Sequence, residues 1–131
     1  MKIKIVLFLI FIILSIPVLS ESKANQDQDF EIRCGWFDNP TPGNISLFDA
    51  DGEWILGIQI GYQLDSDWQW PEFKKNQWVY TNVHYGYGCV CFEVLVDYET
   101  RYVLEVKSNK VKPLEECRND KSLTKWNYLF K

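Results

Sequence analysis

Apolar and polar positions along this chain group into short runs bounded by Gly, Pro, Asn and Asp, a pattern that predicts strands rather than helices. Residues 30–36 read as a first strand. Residues 38–44, Asp-Asn-Pro-Thr-Pro-Gly-Asn, read as a rigid turn, because two prolines fix φ and Gly43 supplies a conformation closed to other residues. Residues 45–48 and 53–59 flank Asp49-Ala50-Asp51-Gly52, which predicts a hairpin. Residues 62–76 carry Asp65, Asp67, Trp68, Trp70 and Pro71 and are too polar and interrupted for regular structure, so a long loop is expected. Strands resume at 77–83 and at 89–96, the latter led in by Tyr85-Gly86-Tyr87-Gly88. Residues 102–107 pair back across a turn at 97–101, and 113–117 form one helical turn. The expected fold is mainly β, a small antiparallel barrel or sandwich with one long aromatic loop.

The amino end follows a different pattern. Lys2 and Lys4 precede an apolar run from residue 5 to 16 broken only by Ser15, and Pro17 stops it. Small-residue exits follow at Ser20 and Ala24, so residues 1–24 read as a signal peptide, cut after one or the other. The wider stretch from Ile3 to Leu19 approaches the roughly 20 apolar residues of a membrane span. Small polar residues follow it at once and no basic cluster does, which favours cleavage over an anchor. Residues 25–131 are then a single exported domain, periplasmic or secreted, with no membrane contact after cleavage and expected as a monomer.

Charge narrows the partners. A cut after Ala24 removes Lys2, Lys4, Lys23 and Glu21 and leaves 11 basic against 17 acidic residues, net −6. Without a basic stripe the domain is no nucleic-acid binder, since phosphate contacts need clustered Lys and Arg. Its field favours cationic partners.

The four cysteines are Cys34, Cys89, Cys91 and Cys117, an even count in a small exported chain, and they read as two disulfides. Cys89 and Cys91 project from one face of a strand, where each reaches another segment more readily than its neighbour. Cys34 and Cys117 thus each take one of the pair, in either arrangement; Cys34–Cys91 with Cys89–Cys117 is preferred. A zinc site needs two to four residues between paired ligands, and here there is one.

Motifs for catalysis are scarce. His84 is the one histidine, and there is no nucleophile elbow, no His-Glu-x-x-His and no glycine-rich phosphate cradle. Asp65 with Asp67, or Asp49 with Asp51, could pair as acid and base. The string from Asp49 to Glu53 fails as a calcium loop, because Leu47 and Ile58 stand where acids are required. No metal, cofactor or catalytic residue is assigned.

The segments Arg33-Cys34-Gly35-Trp36-Phe37-Asp38-Asn39-Pro40-Thr41-Pro42-Gly43-Asn44, Asp51-Gly52-Glu53-Trp54, Trp78-Val79-Tyr80-Thr81-Asn82, Tyr85-Gly86-Tyr87-Gly88-Cys89-Val90-Cys91 and Pro113-Leu114-Glu115-Glu116-Cys117-Arg118 resemble an exported bacterial family catalogued as domain of unknown function 4087. The resemblance implies a bacterial envelope protein and carries no activity over.

Function must then be read from the aromatic residues. Of 21 in the chain, 19 remain after the leader, including all six Trp. Trp36, Trp54 and Trp78 stand in apolar strand contexts suited to a core. Tyr62, Trp68 and Trp70 stand instead among Asp65 and Asp67 in the long loop, where amphipathic aromatics serve either as a packing lid or as binding anchors. The expected function is a non-catalytic binding or inhibitory module that uses Tyr62, Asp65, Asp67, Trp68 and Trp70 to hold a cationic protein or cell-wall glycan. An envelope enzyme with paired carboxylates acting on glycan is the alternative, and a structural envelope protein the third reading.

Overall fold

The structure is a computed structural model that describes residues 29–131, so the signal peptide expected at residues 1–24, with its cut after Ser20 or Ala24, lies outside the described residues. Six strands follow in order: β1 (Glu31–Thr41), β2 (Asn44–Asp49), β3 (Gly52–Gly57), β4 (Trp78–Asn82), β5 (Tyr85–Val96) and β6 (Val103–Lys112). A short helix α1 (Leu114–Asn119) and a 3-10 segment (Lys121–Trp126) close the chain.

All pairings are antiparallel and belong to one sheet in the order β3-β2-β1-β5-β4, with β6 also on β5. The twelve-residue β5 gives one edge to β1 and divides the other, β4 taking the part from Tyr85 to Gly88 and β6 the part from Cys89 to Val96. The fold is mainly β, as expected, but the sheet is not closed into a barrel. Between β3 and β6 there is no ladder: an isolated parallel bridge joins Ile55 to Tyr102, the residue before β6, and Ile55 N–H donates to Arg101 O at 2.8 Å. Nor, among the described residues, is there a second sheet to make a sandwich.

One sheet suffices because both of its faces are covered. Consecutive residues of a strand point to opposite faces, and Trp36 and Phe37 are both buried, as are Leu47 and Phe48. Phe37, Leu47, Trp54, Leu56, Val90, Phe92 and Val94 fill one face, with Trp68, Phe73 and Trp78 packed against them. Trp36, Phe48, Tyr87 and Cys89 form the other, under Cys117, Leu123 and Phe130 of the carboxyl-terminal segment. Two helical pieces do this covering where one turn was expected. The second starts at Asp120, whose side chain accepts from Ser122 N–H at 2.9 Å, an N-cap of the usual kind.

Two strands run further than the sequence suggests. β1 continues through the residues expected as a turn; the register against β2 shifts between Asp38 and Thr41, and such a bulge accommodates Pro40, which has no N–H to give. The turn proper is Pro42-Gly43, with Gly43 at φ 75°. β5 begins already at Tyr85, because its glycines lie under close neighbours: a Cβ on Gly88 would stand 2.4 Å from the Phe73 ring and one on Gly86 1.9 Å from Val79 O.

The disulfides are Cys34–Cys91, between directly opposed residues of β1 and β5, and Cys89–Cys117, which ties β5 to α1. All four cysteines are used, in the pairing preferred from the sequence.

Candidate functional site

Residues 62–77 cross the open seam between β3 and β6. The chain turns back at Gly61 and runs beside β3, with Leu64 N–H donating to Leu56 O at 2.8 Å. Tyr62 is fixed at the base: its ring stacks on Tyr102 at 4.1 Å and its hydroxyl donates to Val103 O at 2.6 Å. Burial, aided by the Asp65 charge and Tyr102, raises its phenol pKa. Tyr62 therefore anchors the loop rather than standing free.

Trp68 and Trp70 stack on each other at 4.7 Å. Trp68 is half-buried, with its ring 6.5 Å from Phe37 and 6.2 Å from Phe92, and belongs to the core face. Trp70 rests edge-on against Phe37 at 5.9 Å yet stays 46% exposed. Asn109 on β6 pins the segment by donating to Gln69 O at 2.8 Å. Trp68 thus serves chiefly as a lid, and Trp70 offers a free surface. Trp68→Ala is expected to cost about 3 kcal/mol of stability and Trp70→Ala less than about 1 kcal/mol, measured by urea unfolding.

Asp65 and Asp67 lie beside this pair. They line a cleft of about 270 Å³ with Glu105 on β6, and its apolar wall is Leu64, Trp68, Leu104 and Val106. All three carboxylates are exposed, and among the described residues none has an ion-pair partner. Three carboxylates thus stand over apolar carbon, with no Lys or Arg among the residues that line the cleft.

Asp49 and Asp51 serve a different purpose. Asp49 is buried at 4% exposure beside Arg33 at 8%. Its Oδ2 accepts from Arg33 at 2.7 Å and from the Trp54 indole at 3.0 Å. Its Oδ1 accepts from the N–H groups of Asp51 and Gly52, at 2.8 and 3.1 Å, closing the hairpin turn. Arg33 also donates to Asp51, Glu31 and Tyr98, and its guanidinium carbon lies 4.0 Å from the centre of the Trp54 ring. Burial alone would lower the Arg33 pKa, but these hydrogen bonds outweigh it and raise it. Four donors thus occupy the Asp49 carboxylate, which serves to hold Arg33, Trp54 and the turn. His84, at the exposed β4–β5 tip, lies tilted against Tyr85 with ring centres 4.3 Å apart, and among the described residues its side chain makes no hydrogen bond to a carboxylate.

A second carboxyl pair escaped the sequence reading. Asp38 and Glu53 line a cleft of about 250 Å³ with Ser46, whose hydroxyl donates to Glu53 at 2.7 Å. Burial, with the Glu53 charge adding, pushes the Asp38 carboxyl up to about 6. The two acids lie fifteen positions apart and meet only through the β1–β2–β3 pairing, which no local signal reveals. A carboxyl that holds its proton more tightly when folded stabilises the fold fully below its unfolded value, and that contribution is lost as pH rises through about 6. Stability is therefore expected to fall by about 1 kcal/mol between roughly pH 4 and pH 6, after allowing for solvent screening. Unfolding midpoints measured across that range should lose this slope in Asp38→Asn.

Among the described residues no helix is long and apolar enough to cross a membrane, and no group of three or more His, Cys, Asp or Glu is placed to hold a metal ion. No curated protein and no solved structure matches the chain. A family described as "Protein of unknown function (DUF4087)" matches residues 28–124, which takes in all six strands, both disulfides and the loop with its cleft, and the chain belongs to that family.

Proposed function

We propose that this protein is an exported, non-catalytic binding or inhibitory module that grips a basic side chain of a cationic protein in the cleft of Asp65, Asp67 and Glu105. The observation that carries the reading is a cleft lined by three exposed carboxylates and by Trp68, with no Lys or Arg in its lining. An interface of this kind gains specificity and association rate from charge, while apolar contact with Trp68 and Leu104 holds the stem of the bound side chain. Glycan is the weaker partner, because a sugar ring needs an open aromatic face and one face of Trp68 is taken by Trp70. Two disulfides and the leader at residues 1–24 support a periplasmic or secreted location, where such bonds persist.

Calorimetric titration of the oxidised mature domain with lysozyme, as a cationic protein, tests the reading. Binding is expected, weakened at least about tenfold by Asp65→Asn with Asp67→Asn and by raising the salt to about 0.5 M. Absence of binding, or binding indifferent to both changes, would contradict it. The alternative, an envelope enzyme acting on glycan, draws support from the unequal carboxyls Asp38 and Glu53. Release of sugar from peptidoglycan, abolished by Asp38→Asn, would establish that reading instead.

A further inference from the structure

The two disulfides share one place and differ in depth. All four cysteines line a single cleft of about 50 Å³ where α1 meets the sheet. Cys89 and Cys117 are each 3% exposed, under the carboxyl-terminal segment that also covers Trp36 and Phe48. Cys34 is exposed and Cys91 only partly buried. The ladder between β1 and β2 ends at Trp36, two residues short of Cys34. Of two neighbouring bonds, one is therefore sealed and the other open to an attacking thiolate, and access of this kind separates structural disulfides from labile ones.

Opening the exposed bond leaves the sheet intact. Nine consecutive pairs, from Glu31 with Val94 to Asn39 with Gly86, join β1 to β5, and Cys34 with Cys91 is one of the inner ones. The two sulfurs thus stay opposed after reduction and can rejoin. Charge around them favours a thiolate on Cys91. Directly opposite Cys91 on β6, and on the same face, is Lys110, which has no ion-pair partner among the described residues. The acids nearby are already engaged: Glu93 with Lys107 at 3.0 Å, Glu116 with Lys112 at 3.7 Å, and Asp120 with Ser122 N–H at 2.9 Å. A cation beside a sulfur lowers its thiol pKa, and the sulfur of lower pKa leaves faster.

We propose that Cys34–Cys91 is a site of thiol–disulfide exchange with an external dithiol, attacked at Cys34, while Cys89–Cys117 stays closed as the structural bond. A thiolate of the dithiol bonds to Cys34 Sγ; the bond to Cys91 breaks, and its electron pair leaves on Cys91 Sγ beside Lys110. The second thiol of the reagent then attacks the reagent's own sulfur in the mixed disulfide and releases Cys34 as a thiolate. The reagent ends as a disulfide, and its two electrons and two protons end on Cys34 and Cys91. A monothiol cannot complete this sequence, because Cys91, held opposite Cys34, attacks back at high effective concentration and expels it. The site uses none of the groups of the Asp65 cleft, which belongs to the face of Phe37 and Phe92, so it stands or falls separately from the cationic-partner reading.

Timed reduction of the folded, oxidised mature protein by dithiothreitol, quenched with iodoacetamide and mapped by peptide mass spectrometry, tests it. Cys34 and Cys91 are expected to be alkylated together, at least about tenfold faster than Cys89 and Cys117, with the circular dichroism of the sheet unchanged. Glutathione in place of dithiothreitol should give only a short-lived adduct, on Cys34. Lys110→Met keeps the apolar stem and should slow opening by dithiothreitol about threefold or more, with no fall in the thermal midpoint. Opening of Cys89–Cys117 first or at an equal rate would overturn the proposal, as would loss of the sheet on reduction of Cys34–Cys91. A lasting glutathione adduct would overturn the need for a dithiol, and an unchanged rate in Lys110→Met would overturn Cys91 as the leaving sulfur.

Discussion

Asp49→Ala is expected to destabilise the fold by about 4 kcal/mol, which would leave a domain of ordinary stability barely folded. The substitution removes the acceptor of four hydrogen bonds at a site only 4% exposed. It strands the buried guanidinium of Arg33, the indole N–H of Trp54 and the two N–H groups that shape the β2–β3 turn. Asp51 and Glu31 still reach Arg33, but from the solvent side, where water screens them. Asp49→Asn keeps the shape and one acceptor while removing the charge, so it should cost less, about 2 kcal/mol. Urea unfolding of both variants checks the order. A loss below about 1 kcal/mol in Asp49→Ala would mean that the turn tolerates an unpaired arginine, contrary to the usual cost of burying one.

Removing the second disulfide, by Cys89→Ala with Cys117→Ala, should cost about 3.5 kcal/mol on chain entropy, given its separation of 28 residues. The larger consequence is local. Cys117 is what holds α1 against β5, and the carboxyl-terminal segment behind it covers Trp36, Phe48 and Tyr87. Hydrogen exchange and limited proteolysis are expected to show residues 113–131 opening before the sheet does. The paired change Cys34→Ala with Cys91→Ala should leave that cover closed, because it unlinks residues already held opposite each other by β1 and β5. Equal opening of the carboxyl-terminal segment in both double variants would contradict this division of labour.

Local signals in the sequence were enough for the β2–β3 hairpin, the long loop and the existence of most strands. Asp49 and Gly52 announce their turn because the side chain and the flexible backbone that make it lie three residues apart. Sheet closure was not legible, since whether β3 and β6 pair is decided by partners about fifty positions apart and by the loop that crosses between them. Nothing near Arg33 in sequence identifies Asp49 and Trp54 as its partners. Trp68 and Trp70 look alike in the sequence, and only the packing on Phe37 and Phe92 separates the lid from the exposed ring. Glu105 joins Asp65 and Asp67 from a different strand, and Asp38 meets Glu53 across β2. Val83 and Ile60 give no turn signal, because β-branched residues are unfavourable at the positive φ they adopt.

The binding account is tested most directly by following the indole N–H signals of Trp68 and Trp70 and the carboxylate carbons of Asp65, Asp67 and Glu105 by NMR during titration with an arginine-rich peptide. Saturable shifts centred on these groups, and abolished by high salt, are the predicted result. Shifts that map elsewhere, or that persist unchanged in Asp65→Asn with Asp67→Asn, would contradict it.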